Sequence, residues 1–298
     1  MRIQALVAAA VLSSSAILIS ASASAANYTL WVHGRNDGVP AAFSYWVDHT
    51  GYNVTNCTTV DQNNVCTTNA GYATPVAVDY DGSQHISITN PIVTGAMETY
   101  CSGSNSCYIE CHSAGCAQVG YTLANTGAPA GGWHVNWVRT AGSAAGGSEL
   151  ANDGSWLTGY NIDSDLHTGT MRAMYNHDKL GDAIGGHVYN YLGGDWSSLT
   201  NVLFPCHSSF WGVCYSWANN DSVVAYHSSG HLRSVSGTQS DSCNGGTGGS
   251  CWDYSTATMV DTGSYGHCLI GGFLGSCQEG GQGGIAERAS TDTRNTAK

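Results

Sequence analysis

Apolar positions along the chain fall into short β-rich runs that alternate with longer segments of helical pattern. Residues 27–34 illustrate the first type, because Leu, Trp and Val lead into a His-Gly turn. Strands alternating with helices build parallel sheets with crossover connections, so we expect an α/β fold with a mostly parallel central sheet flanked by helices. Further strands are predicted at 73–79, 107–110, 133–139, 187–192, 213–217 and 256–261, and helices at 39–50, 91–100, 114–123 and 166–176.

The pattern changes at both ends of the chain. Residues 1–25 combine an early Arg2, a long apolar stretch and a final Ala-Ser-Ala, which predicts a cleaved signal peptide and export as a secreted or periplasmic protein. No later stretch is long and apolar enough to span a bilayer. Residues 26–277 suit one α/β domain, and residues 278–298 lack apolar periodicity, so we expect a flexible tail there.

The chain has 12 cysteines, and all of them follow the predicted signal peptide. An even number of cysteines indicates disulfides in an oxidising compartment. Zinc is the alternative, but the sequence contains no Cys-x-x-Cys. Nearest-neighbour pairing is the simplest hypothesis: Cys57 with Cys66, Cys101 with Cys107, Cys111 with Cys116, Cys206 with Cys214, Cys243 with Cys251, and Cys268 with Cys277.

Composition narrows the function only slightly. Charged residues make up 10% of the chain and the formal net charge is −12. This balance argues against a nucleic-acid partner, because phosphate contacts need clustered Lys and Arg. Abundant Gly, Ser, Asn, Tyr and Trp are common in exported enzymes and equally in carbohydrate-binding modules, so the choice rests on motifs.

The most informative motif is the segment Cys107–Cys116, which predicts a strand that enters a tight turn with Ser113 at its apex. In a nucleophile elbow, such a turn exposes the serine hydroxyl at the start of a helix. Ala114 and Gly115 supply the small residues that the turn requires, whereas Cys111 stands where the G-x-S-x-G pattern has its first glycine. An ordinary turn serine is the alternative interpretation.

A serine nucleophile needs a base, and the base needs an orienting acid. In parallel-sheet hydrolases these residues follow in the chain order Ser, acid, His. His267 lies on a glycine-containing loop after the last predicted strand, and Asp221 follows a short predicted strand. Asp178, after a possible strand, is the competing acid, and Asp221 could instead cap a turn.

The oxyanion hole of such a site is built from backbone N–H groups. One donor would be Ala114, directly after the serine, and the second Arg35, in the turn after the first strand. We expect His33 to lock this turn through ring hydrogen bonds, and His112 to line the site without transferring a proton.

Taken in order, several short motifs resemble secreted bacterial lipases and esterases of the α/β-hydrolase superfamily. The resemblance implies an α/β-hydrolase fold, with Ser113 as nucleophile, Asp221 as acid and His267 as base. It covers most of residues 28–275 and rests on these motifs: His33–Gly34, His112–Gly115, Gly147–Ser148, Asp165–Arg172, Tyr189–Tyr191, Leu199–Leu203, Asn220–Val224, Ser228–Ser229 and His267.

Two positions depart from the family pattern. Many members carry a calcium-binding aspartate where this chain has Leu269, so no metal is expected, and no cofactor either. The other departure is Cys111, and a bridge from Cys111 to Cys116 would staple the turn that strains Ser113.

We therefore expect a monomeric serine hydrolase that cleaves carboxylic esters of hydrophobic or lipid-like type through an acyl-enzyme. Two alternatives stay open. The same triad could serve a peptidase or an acyltransferase, or the fold could carry a non-catalytic lipid- or glycan-binding protein.

Overall fold

The strand β1, Asn27–Val32, lies inside a mostly parallel sheet, as the sequence pattern predicts. The computed structural model describes residues 25–35, 46, 57–60, 63–67, 71–154, 159–175, 188–192, 206–210, 213–217, 221, 223–224, 226–229, 257–261, 267 and 284–298. Apart from Trp46, the helix predicted at 39–50 lies outside these residues, as does the proposed competing acid, Asp178.

The other strands of the described ranges are β2 Cys57–Val60, β3 Asn63–Cys66, β4 Thr74–Val78, β5 Ser106–His112, β6 Val135–Ala141, β7 Val188–Leu192 and β10 Ala257–Asp261, with β8 Cys206–Phe210 and β9 Val213–Trp217 as a separate hairpin. Eight described strands, β1 included, form one sheet in the order β10-β7-β6-β5-β1-β4-β3-β2. The neighbours from β10 to β4 run parallel, and β3 and β2 add an antiparallel edge. This is the α/β-hydrolase fold that the resemblance implies.

Seven helices accompany the strands in the described part of the chain, and none is both long and apolar enough to cross a membrane. They are α1 Ile86–Tyr100, α2 Ala114–Asn125, α3 Glu149–Gly154, α4 Asn161–Asp165, α5 Thr168–Met174, α6 Tyr226–Ser229 and α7 Ile285–Thr296. The helices α1 and α2 pack on each other through buried polar groups: the amide of Asn90 donates to the carbonyl oxygen of Gln118 at 2.9 Å and to the hydroxyl of Thr122 at 3.1 Å.

The main core lies between the sheet and the helices α1 and α2. Because β5 sits between β1 and β6, its last four residues are buried. The sequence predicts this strand because the segment leads directly into the turn at Ser113, although the buried part also contains the polar residues Glu110 and His112. The core includes Leu30, Val32, Val76, Val93, Met97, Ile109 and Val119.

The last residues of the chain correct one prediction. Instead of forming a flexible tail, residues 284–298 contain the helix α7, which packs on the sheet. The hydroxyl of Thr293 donates to the buried carboxylate of Glu110 at 2.6 Å, and the guanidinium of Arg139 donates to Thr296 at 2.7 Å. Apart from Ile285, the helix buries small residues and hydroxyls, so its sequence shows little apolar periodicity. The domain extends to these residues.

Three of the predicted disulfides are confirmed: Cys57–Cys66, Cys101–Cys107 and Cys111–Cys116. Cys57 and Cys66 stand directly opposite each other on the hairpin β2–β3. The other three predicted pairs involve side chains outside the described set, so those pairings stay predictions.

Candidate active site

Ser113 occupies a strained turn between β5 and α2. Its φ is 55° and its ψ is −129°, and among the described residues other than glycine it alone has a positive φ. L residues with a side chain rarely adopt this conformation, and it persists only where contacts with the surrounding structure enforce it. The Ser113 N–H donates to the carbonyl of Ala141 at 3.0 Å, while its own carbonyl accepts from Cys116 and Ala144, each at 3.1 Å. This is the geometry of a nucleophile elbow.

Gly115 allows the elbow to approach the end of β1. A Cβ atom at this position would lie 2.5 Å from the carbonyl oxygen of Val32 and would also clash with that of His33. Only glycine permits this contact without displacing the backbone. The start of α2, with Ala114, therefore lies against the turn that contains Arg35, which brings together the two segments predicted to supply the oxyanion donors.

A disulfide spans the elbow. Cys111 lies near the end of β5, Cys116 lies in the first turn of α2, and their Cα atoms are 5.0 Å apart. Both residues are buried. The bridge therefore ties the strand and the helix together on the two sides of Ser113, as the sequence analysis proposed.

His267 and Asp221 form a buried pair. The Nδ1 of His267 is 2.7 Å from the Oδ2 of Asp221, and the two side chains are 2% and 1% exposed. The other oxygen of Asp221 accepts the N–H groups of Val223 at 3.1 Å and Val224 at 2.8 Å, which fixes the carboxylate. The backbone N–H of His267 also donates to the backbone carbonyl of Asp221 at 2.7 Å.

This pairing determines which ring nitrogen of His267 can act as a base. Because the carboxylate of Asp221 accepts, Nδ1 carries the proton and Nε2 has the free lone pair. The Nε2 is buried and has no hydrogen-bond partner among the described residues. An unprotonated, unpartnered imidazole nitrogen is the group that proton abstraction requires.

The pair lies close to the backbone around Ser113. A Cβ atom on Gly142 would be 2.7 Å from both the Nδ1 of His267 and the Oδ2 of Asp221. Gly142 directly follows Ala141, whose carbonyl accepts the Ser113 N–H. The three predicted triad residues therefore lie near one another at the carboxyl ends of β5 and β6.

The buried ring of His33 stabilises the turn after β1, as predicted. The His33 ring contacts the carbonyl oxygens of Gly34 at 2.8 Å and Tyr80 at 3.1 Å, and it stacks on the Tyr80 ring at 4.1 Å. Complete burial lowers the pKa of His33 to about 4, so the ring is neutral at physiological pH. The Tyr80 hydroxyl in turn donates to the His33 carbonyl.

The side chain of Arg35 connects the same turn to residues 160–163. Its Nε donates to the Oδ1 of Asp163 at 2.5 Å, and its guanidinium lies 4.3 Å from the centre of the Tyr160 ring. The side chain is thus directed to α4, so any role of Arg35 in oxyanion binding would fall to its backbone N–H. Nothing in the sequence near Arg35 points to Asp163, which is 128 positions away.

A set of tertiary contacts that the sequence did not predict supports the segment that carries Asp221. Ser228 donates to the Oε1 of Glu149 at 2.5 Å and accepts from the guanidinium of Arg172 at 2.9 Å. Ser148 donates to the carbonyl of Val223 at 2.6 Å. Ser148, Arg172 and Ser228 belong to motifs that carry the family resemblance, and these contacts give those motifs a structural role.

Within the described ranges, no group of three or more His, Cys, Asp or Glu side chains is arranged to hold a metal ion.

Comparison with known proteins gives structural neighbours only. No protein-family model matches the chain, and neither does any curated protein. The mature lipase BlEst2 of Bacillus licheniformis is 14% identical, with 82% of this chain and 85% of that chain covered at a TM-score of 0.45. Lipase 1 from Pelosinus fermentans is 11% identical, with coverage of 92% and 99% and a TM-score of 0.42. A metagenomic carboxyl esterase is 14% identical, with coverage of 58% and 51% and a TM-score of 0.39. At such low scores the likeness carries no argument about the reaction.

Proposed function

We propose that this chain is a secreted serine hydrolase that cleaves carboxylic esters, with Ser113 as nucleophile, His267 as base and Asp221 as the group that orients His267. The observation that supports this proposal is the buried Asp221–His267 pair beside a serine in a strained strand-to-helix turn. The strained backbone of Ser113 and the buried Nε2 of His267, which has no hydrogen-bond partner among the described residues, both support this assignment.

In the proposed reaction, the Nε2 of His267 takes the Ser113 hydroxyl proton while the oxygen attacks the ester carbonyl. The proton then passes to the leaving alcohol, and an acyl-enzyme remains on Ser113. Water activated by His267 hydrolyses this ester and regenerates the serine. Asp221 holds the Nδ1–H tautomer and stabilises the imidazolium as it forms.

The developing oxyanion would be bound by the N–H groups of Ala114 and Arg35. The start of α2 adds the positive end of a helix dipole at the same place. Each donor of this kind contributes roughly 3 to 4 kcal/mol to the stabilisation of the transition state in other hydrolases.

The proposed substrate is a hydrophobic or lipid-like ester in an oxidising, extracytoplasmic compartment. Disulfides persist in such compartments, and three are present in the described residues. The predicted signal peptide at residues 1–25 agrees with this location.

The test is labelling of Ser113 by a fluorophosphonate, followed by turnover of p-nitrophenyl esters of short and long chains with and without an emulsion. We expect Ser113→Ala to abolish both readouts while the protein stays folded. Asp221→Asn should lower turnover by up to about 10⁴-fold, because it favours the wrong tautomer of His267. A wild-type protein that is not labelled would instead be a binding protein on this fold, and turnover of peptides but not esters would indicate a peptidase.

Asp178, the competing candidate for the triad acid, provides a separate test of the assignment of Asp221. If Asp178→Asn cripples the enzyme and Asp221→Asn does not, the assignment of Asp221 fails while the assignment of Ser113 stands.

A further inference from the structure

His112 is a buried histidine that the proposed mechanism does not use. It is 0% exposed, and it is the last residue of β5, directly before Ser113. Its ring lies beside that of His267, with centroids 4.7 Å apart and planes inclined by 36°. Its Nε2 is 3.0 Å from the carbonyl oxygen of His267.

The proton in this contact can be assigned. A carbonyl oxygen only accepts, so the Nε2 of His112 must be the donor and must carry a hydrogen. A carbonyl buried at this site without a donor would be unfavourable, because nearly all buried backbone polar groups are paired. His112 therefore satisfies one specific acceptor on the residue that we propose as the base.

Together with Asp221, His112 fixes the polar groups of His267. The Nδ1 is paired with the Asp221 carboxylate and the backbone N–H with the Asp221 carbonyl, which leaves the His267 carbonyl to His112. Asp221 therefore binds the ring Nδ1 and the backbone N–H of His267, and His112 binds its backbone carbonyl.

The anchor that His112 provides is rigid. β5 lies between β1 and β6, and His112 is in register with Ala141 of β6. Ala141 also accepts the Ser113 N–H. One strand end thus carries the nucleophile and, one residue earlier, the donor that holds the backbone of the base.

We propose that His112 is a positioning residue: its Nε2–H holds the His267 carbonyl and so fixes the backbone from which the His267 ring reaches Ser113 in the proposed reaction. The catalytic consequence rests on the proposed function, because it requires His267 to be the base. His112 transfers no proton itself. A displacement of about 1 Å at a reacting group can cost about 10²-fold in rate, which sets the scale of the expected effect.

The test compares His112→Gln with His112→Met. Both side chains are unbranched and of similar length, but only glutamine can donate an N–H to the His267 carbonyl. We expect His112→Met to lower kcat and the rate of fluorophosphonate labelling by about 10²-fold with little change in KM. His112→Gln should keep most of the wild-type rate although both variants lose the ring. Equal rates in the two variants at matched thermal stability would overturn the proposal.

A second measurement needs no variant and no activity. Nitrogen-15 spectra of the wild-type histidine rings should show His112 protonated at Nε2, and a ring protonated only at Nδ1 would overturn the proposal. A wild-type protein that is not labelled at Ser113, but whose His112 is protonated at Nε2, would refute the esterase function and leave the contact between the two histidines standing.

Discussion

Gly142 and His267 are packed so closely that a Cβ atom on the glycine would lie 2.7 Å from the Nδ1 of the imidazole. The same atom would lie 2.7 Å from the Oδ2 of Asp221. We therefore expect Gly142→Ala to separate the Asp221–His267 pair and to lower ester turnover by about 10²-fold or more. The measurement is kcat on a soluble ester, together with a circular dichroism spectrum to check that the protein is folded.

Gly142 also has a positive φ of 49°, so backbone strain has to be distinguished from the steric clash. Gly103 is the matched control, because its φ is 66° and nothing lies within 4 Å of a Cβ placed there. Gly103→Ala should cost stability without changing kcat. Equal losses of activity in the two variants would show that strain, and not contact with the pair, is responsible.

The Cys111–Cys116 disulfide should support both stability and reactivity. Replacing both cysteines with alanine removes a short loop closure, and we expect the free energy of unfolding to fall by about 2 kcal/mol. Because the bridge spans the strained turn, fluorophosphonate labelling of Ser113 should also slow down. Peptide mapping without reduction should recover Cys111 and Cys116 in one linked fragment.

The Cys57–Cys66 bridge provides the comparison, since it closes a loop of similar size on the edge hairpin far from Ser113. Its removal should lower stability by a similar amount and leave the labelling rate unchanged. If both double variants label at the wild-type rate, the elbow does not depend on its disulfide.

The ion pair between Arg35 and Asp163 should affect the oxyanion site through the turn after β1. We expect Asp163→Asn to lower kcat by up to about 10²-fold with little change in KM, because misplacing one oxyanion donor has an effect of this size. Arg288→Gln is the control, as it breaks a more exposed ion pair on α7 with Asp292. Exposed pairs contribute little, so this variant should match the wild type.

The stability of the fold should depend on pH through two buried groups with opposite signs. Burial lowers the pKa of His33 to about 4, so the unfolded state binds more protons, and stability falls as the pH drops from about 6.5 to about 4. Burial also raises the pKa of Glu110 to about 8. The stability that it contributes is complete below about pH 4.5 and is lost as the pH rises to about 8.

Between about pH 4.5 and 6.5 the two effects oppose each other, so we expect maximal stability there, with losses on both sides. Glu110→Gln should remove the loss above about pH 6.5, which amounts to about 2 kcal/mol between pH 6.5 and pH 8. Urea unfolding at pH 5.5, 7 and 8.5 measures this difference. A variant whose stability falls between these pH values as steeply as that of the wild type would contradict the assignment to Glu110.

Local patterns predicted much of the sheet and the elbow. The strands β1 and β4 are mostly apolar where they are buried, and the turn at Ser113 requires small residues next to it. These features depend on neighbours in sequence, so a single sequence contains them. The chain order of Ser113, Asp221 and His267 was likewise visible.

Features that depend on distant partners were not predicted. The helix α1 begins at Ile86 and not at Pro91, because the carboxylate of Asp165 accepts the Ile86 N–H at 2.8 Å. The edge strand β2 is mostly exposed and polar, so it has no apolar pattern to recognise. The contact of Arg35 with Asp163 was not predicted either, because it joins residues that are distant in sequence and meet only in the tertiary fold.

The helix α7 has a consequence for the order in which the molecule can assemble. Tyr108 of β5 donates to the carbonyl of Lys298 at 2.7 Å, and the N–H of Ala73 donates to the carbonyl of Ala297 at 3.3 Å. These residues follow every described strand in the chain, so a ribosome synthesises the strands before them. Until they emerge, one face of the sheet is uncovered around Glu110 and Arg139, and the nascent polypeptide cannot reach its final state.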